Sequence, residues 1–90
     1  MAWRIDLSDT ATKQLSKIGR PEAKRITAFL RDRLAPLDDP RQLGHALKGA
    51  TYGDLWRYRV GDHRIVASIE DEQVRILVVR IGHRREVYRG

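Results

Sequence analysis

Three strand-like runs separated by short polar turns lie in the second half of this 90-residue chain, and they leave few options for its fold. Leu55 to Val60, His63 to Glu70 and Gln73 to Ile81 alternate apolar and polar side chains, with Gly61-Asp62 and Asp71-Glu72 as turn candidates between them. The pattern predicts a β-meander. Val74 to Ile81 is rich in Val and Ile, as suits a strand with neighbours on both sides.

Upstream the period changes. Trp3 to Leu7 reads as a short strand, after which Ser8, Asp9 or Thr10 offers an N-cap. Ala11, Leu15 and Ile18 then fall on one helical stripe, and Gly19 is a natural stop. Pro21 suits the first turn of a second helix, whose apolar face is Ala23, Ile26, Phe29, Leu30, Leu34 and Leu37, with Pro36 ending it near Leu34. Residues 38–54 hold Pro40 and three glycines and read as irregular. The order is βααβββ. It predicts one α+β domain over residues 1–90, a helical hairpin packed on one face of a small, mainly antiparallel sheet.

Hairpin geometry divides the side chains between two faces. If the first hairpin closes symmetrically about Gly61-Asp62, Arg59 lies opposite Arg64 and Arg57 opposite Val66. Arg57, Arg59 and Arg64 then point one way. Trp56, Tyr58, Ile65, Ala67 and Ile69 point the other, joined by Ile76 and Val78, and form the floor for the helices. Like charges placed opposite each other cost stability, so three guanidinium groups on one patch suggest an anion-binding surface. The plainer alternative is that the long side chains spread into water and pack on Leu55 or Leu77.

The overall charge agrees with either. Eighteen Lys and Arg against twelve Asp and Glu give a formal charge of +6, most of it from Arg, whose flat fork suits phosphate. Nucleic acid or an acidic protein is the expected kind of partner. With no cysteine there is no thiolate metal site or disulfide framework, and His45, His63 and His83 are too scattered to suggest a metal, so neither metal nor cofactor is expected. No apolar run reaches bilayer length and Met1-Ala2-Trp3-Arg4 does not open a signal peptide. No membrane partner is expected, and a cytoplasmic protein is the default.

Gly82-His83-Arg84-Arg85-Glu86-Val87-Tyr88-Arg89 adds three bases and a phenol just beyond the last strand. Cations gathered around one Tyr favour phenolate, and such a Tyr accepts a proton from a ribose hydroxyl. Taken alone, Tyr88 reads better as a packing residue at a chain end. His83 adjoins Arg84 and is the one histidine placed to transfer a proton, whereas His63 falls at a turn edge on the face opposite the arginines.

Leu47-Lys48-Gly49, the run Leu55 to Val66 (LWRYRVGDHRIV) and the run Val78 to Tyr88 (VVRIGHRREVY) together resemble the RelE/ParE toxin superfamily. The resemblance covers nearly the whole chain and is densest from Pro40 to Tyr88. It implies the toxin of a type II toxin–antitoxin system: a ribosome-dependent endoribonuclease (mRNA interferase) that cuts mRNA in the A site, neutralised by a cognate antitoxin. The chemistry it implies is attack of a ribose 2′-hydroxyl on the adjacent phosphate, which needs a base, an acid and fixed cations. By position Tyr88 matches the proposed base, Arg84 the arginine proposed as acid or leaving-group stabiliser, and Arg64 the arginine that steadies the scissile phosphate. Arg57 and Arg59 fall where RelE proteins often carry lysines, and Lys48 and Arg85 join them as substrate- or phosphate-binding positions. Arg in place of Lys keeps the charge but gives up a proton donor. The chain ends two residues after Tyr88, so the terminal helix of some relatives is expected to be absent or a stub. Two alternatives stay open: a ParE toxin acting on DNA gyrase, and a degenerate, non-catalytic module that binds antitoxin or RNA.

Overall fold

A computed structural model describes residues 2–47 and 54–85. The first strand, β1 (Arg4–Leu7), runs straight into helix α1 (Asp9–Lys17). Ser8 is the cap: its hydroxyl oxygen accepts from the Ala11 N–H at 3.1 Å, satisfying a donor that the first turn leaves open. Gly19, at φ 93°, reverses the chain between the helices in a region that side-chain-bearing residues avoid. Helix α2 (Arg20–Ala28) carries Pro21 in its first turn, as expected, and continues as a π-helical stretch over Phe29–Leu34. That stretch ends where Pro36 predicts, with the Ala35 N–H donating to Leu30 O five residues back.

The meander follows the sequence closely. Strands β3 (Leu55–Val60) and β4 (His63–Glu70) have the predicted bounds, and β5 (Arg75–His83) starts two residues later than predicted and runs two further. The later start has a local cause. Asp71–Gln73 form a 3-10 turn, and Val74 follows at φ 49°, a left-handed conformation in which a β-branched residue cannot continue a strand.

Residues 38–54 depart from the expected irregular loop. Pro40–Leu43 form a 3-10 turn, and His45–Ala46 make a two-residue strand, β2, antiparallel to β3. The sheet order is β1-β5-β4-β3-β2, with β1 and β5 parallel and every other pair antiparallel. Both helices lie on one side. Ala11, Ile26, Leu30 and Leu34 are buried there against Tyr58, Ile65, Ala67, Ile76, Val78 and Ile81, with Trp56 packed at the margin. Most of these are residues that periodicity selects; Val60 and Ile81 join them unpredicted, and Ile69 stays only partly buried.

Candidate nucleic-acid interface

The opposite side of the sheet is where the arginines lie. In the β3–β4 ladder Arg59 stands opposite Arg64 and Arg57 opposite Val66, the expected register, so the three guanidinium groups share the face turned away from the helices. Next to the β3–β4 turn, Arg64 Nη1 donates to Gly61 O at 3.2 Å and to His63 O at 3.1 Å. Arg57, Arg59 and Arg64 line a cleft of about 220 Å³ together with Leu43 and His45. A second cleft of about 540 Å³ shares Leu43 and Arg59 and extends around the β3 edge to Arg25, Phe29 and Arg33 on the helices.

A bulge enlarges the patch. Ala67 pairs with Val78 but Val66 pairs with Arg80, so Val79 is an extra residue in β5. Strict alternation from Ile76 and Val78 would send Arg80 into the core. The extra residue reverses the phase: Ile81 is buried opposite Ile65, and Arg80 comes to the arginine face beside Val66. The shift is readable in hindsight, because the apolar phase moves from Ile76 and Val78 to Ile81 across Val79-Arg80.

His45 is the other unforeseen member. It lies opposite Arg57 in β2 and reaches the cleft from the sheet edge. Nothing in the local pattern announces a two-residue strand. Long-range contacts make it: Tyr58 is fully buried and its hydroxyl donates to Pro40 O at 2.8 Å, while Arg41 pairs with Asp71 at 2.6 Å and lies 5.7 Å from the Trp56 ring centre. Burial pushes the Tyr58 phenol up to about 12, against a smaller opposing pull from Arg41. This Tyr is a structural donor.

The remaining expected positions divide. Arg84 lies one residue past β5, exposed, its N–H donating to Asp62 O at 2.9 Å, which holds it beside the turn that Arg64 also contacts. Arg85 is exposed as well. His83 is not brought to the arginines. It stands opposite His63 with ring centres 6.0 Å apart, on the helix side of the sheet, where His63 Nδ1 approaches Glu22 Oε2 at 3.5 Å. His83 is the last residue of β5, and its pairing with His63 fixes it on the helix side although Arg84 follows it in sequence. Lys48 and Tyr88 lie outside the described residues. Among the described residues no group of three or more His, Cys, Asp or Glu side chains is placed to hold a metal ion.

Residues 5–88 match the family model described as the ParE toxin of the type II toxin–antitoxin system parDE. The chain is 29% identical over 87 residues to the toxin RelE of Mycobacterium tuberculosis, covering 97% of this chain and 87% of that protein. In fold it resembles a chain of the M. tuberculosis RelBE2 toxin–antitoxin complex, with a TM-score of 0.83, 22% identity, and 96% of this chain and 95% of that one covered. It also resembles a chain of the archaeal RelE–RelB complex from Pyrococcus horikoshii, with a TM-score of 0.74, 25% identity, and 97% and 100% covered.

Proposed function

The chain belongs to the ParE toxin family of type II toxin–antitoxin systems, within the RelE/ParE superfamily, and we propose that it is a ribosome-dependent endoribonuclease that cuts mRNA in the A site. The observation that carries the proposal is the convergence of Arg57, Arg59 and Arg64 on one cleft, on a face that Arg80 also joins. Opposed guanidinium groups repel one another, so the arrangement is stabilised when an external anion sits among them. Phosphate is the anion an arginine fork fits best. During attack of a 2′-oxygen, negative charge grows on the phosphoryl oxygens, and fixed cations favour that state over the ground state. Arg64 steadies the scissile phosphate, Arg57 and Arg59 hold the backbone beside it, and Arg84 and Arg85 extend the positive field toward the leaving side. Lys48 adds a further phosphate contact and Tyr88 takes the 2′-hydroxyl proton. The two structures compared above are RelE proteins held with RelB antitoxins, and the same arginine face suits an antitoxin segment carrying acidic residues, which would neutralise the patch and exclude RNA together.

The matching family model favours one rival, a ParE toxin directed at DNA gyrase. Primer extension on cellular mRNA after brief induction separates the two. Codon-phased cuts are expected; intact mRNA with trapped gyrase–DNA complexes would replace the ribonuclease by the gyrase poison. Single-turnover cleavage on programmed ribosomes then tests Tyr88. Tyr88→Phe removes only the titrating oxygen and is expected to slow cutting by about 10²–10⁴-fold, the usual contribution of a general base. A folded variant cutting at the wild-type rate would remove Tyr88 from the mechanism.

A further inference from the structure

Breaking an RNA chain by attack of its own 2′-oxygen moves two protons: one leaves the hydroxyl, and one must reach the departing 5′-oxygen. An unprotonated 5′-alkoxide is a poor leaving group. Arginine supplies charge for it but no proton, since the guanidinium stays protonated throughout the neutral range. The described lining of the cleft is Leu43, Arg57, Arg59 and Arg64 from three different elements, and His45. Among these side chains only the imidazole has a ring nitrogen that can both donate and accept a proton. We propose that His45 is the general acid that protonates the 5′-oxygen, an assignment that rests on the ribonuclease function proposed above.

The edge strand is built to hold it there. Gly44 packs so closely under β3 that a Cβ would lie 2.8 Å from Tyr58 Cε1 and 3.1 Å from Arg57 O, so no other residue brings the chain this near. Immediately before it, Pro40 O receives the Tyr58 hydroxyl and Arg41 is gripped by Asp39 and Asp71. Fixed on one side by these contacts, the chain presents His45 directly opposite Arg57, and its side chain remains exposed to an incoming strand. The groups facing it are Arg57 and Arg59 from β3 and Arg64 from β4.

The step balances. The 2′-oxygen forms a bond to phosphorus as its proton passes to the base, and the bond from phosphorus to the 5′-oxygen breaks. His45 imidazolium gives that oxygen its proton, leaving a 2′,3′-cyclic phosphate, a free 5′-hydroxyl and a neutral imidazole that water reprotonates.

Sulfur substitution at the leaving atom tests this. Wild type, His45→Ala, His45→Gln and Arg57→Ala are compared in single-turnover cleavage on ribosomes programmed with ordinary mRNA. The same mRNA carrying sulfur in place of the scissile bridging 5′-oxygen is the second substrate, because a thiolate departs without a proton. On ordinary mRNA both His45 variants are expected to slow by roughly 10²-fold or more. On the sulfur substrate they should return to near the wild-type rate, while Arg57→Ala stays slow on both. Equal slowing of the His45 variants on both substrates would make His45 a binding residue and overturn the proposal, as would no slowing on either. Wild-type protein that cuts neither substrate would overturn the ribonuclease function itself, and this assignment with it.

Discussion

At the β1 edge of the helix-free face, arginines lie among carboxylates: Arg75 Nε is 3.2 Å from Glu70 Oε1 and 3.4 Å from Asp6 Oδ2, and Arg4 Nε is 3.1 Å from Asp6 Oδ2. Toward the β3–β4 turn the cross-strand partner of Arg59 is Arg64, and Val66 stands between Arg57 and Arg80. The residue type, the sheet and the face are shared. One group lies among carboxylates and behaves as an ordinary solvated surface; in the other Arg59 and Arg64 stand directly across from each other, a like-charge pairing that costs stability and that a bound anion relieves. Net charge alone cannot separate these two uses of arginine. Cross-strand pairing does.

The largest test of the contrast is to give the second group the chemistry of the first. Arg59→Glu places an opposite charge across from Arg64, so the melting temperature should hold or rise, since such a pair is worth roughly 0.2–1 kcal/mol. Cleavage should fall by about 10²–10³-fold, the scale of removing one fixed donor from a developing oxyanion. Single-turnover rates beside melting curves read both; a loss of stability in step with activity would show the opposed pair to be structural.

Next in size is Tyr58→Phe, which leaves Pro40 O without its donor and loosens the wall that carries His45. A cost of about 1–3 kcal/mol is expected, measured by denaturant unfolding. The pH dependence has a definite sign. Burial raises the folded phenol from its ordinary 10 to about 12, so its stabilising contribution is complete below pH 10 and is lost as pH rises from there toward 12. Tyr58→Phe should remove that alkaline decline, and a decline that survives the substitution would assign it to another group.

A smaller effect separates Arg80 from Arg75. If Arg80 contacts phosphate, Arg80→Ala should flatten the log–log salt dependence of RNA or ribosome binding by about one unit. Arg75→Ala, among the carboxylates at the β1 edge, should leave the slope unchanged. Equal slopes for the two variants would mean that the bulge does not recruit Arg80 to the substrate. The smallest effect belongs to the β1 edge: Glu70→Gln should change stability by less than about 1 kcal/mol and leave cleavage unaltered. A change in cleavage there would extend the interface across the whole face.

Much of this contrast is legible in the amino-acid sequence. A two-residue turn at Gly61-Asp62 and a side-chain period of two are enough to put Arg57, Arg59 and Arg64 on one face and Tyr58, Ile65 and Ala67 on the other, because a strand residue has no third direction to take. The helical stripes were readable for the same kind of reason, since residues three and four apart must share a side. His83 shows how far adjacency misleads. Its neighbour in sequence is an arginine, but its neighbours in space are His63 and the helix side of the sheet.

The amino-acid sequence by itself determined the layers, the β3–β4 register and the positive face, all consequences of local periodicity and one short turn. Only the tertiary structure decided which further groups join that face. Arg80 arrives because β5 must keep Ile81 buried against Ile65 while Val78 stays opposite Ala67, and an extra residue is the only way for a strand to satisfy both. His45 arrives because Gly44 can lie against Tyr58 and Pro40 O can meet its hydroxyl, contacts between residues 14 and 18 positions apart. Such contacts form only once the core is assembled, and no local pattern records them.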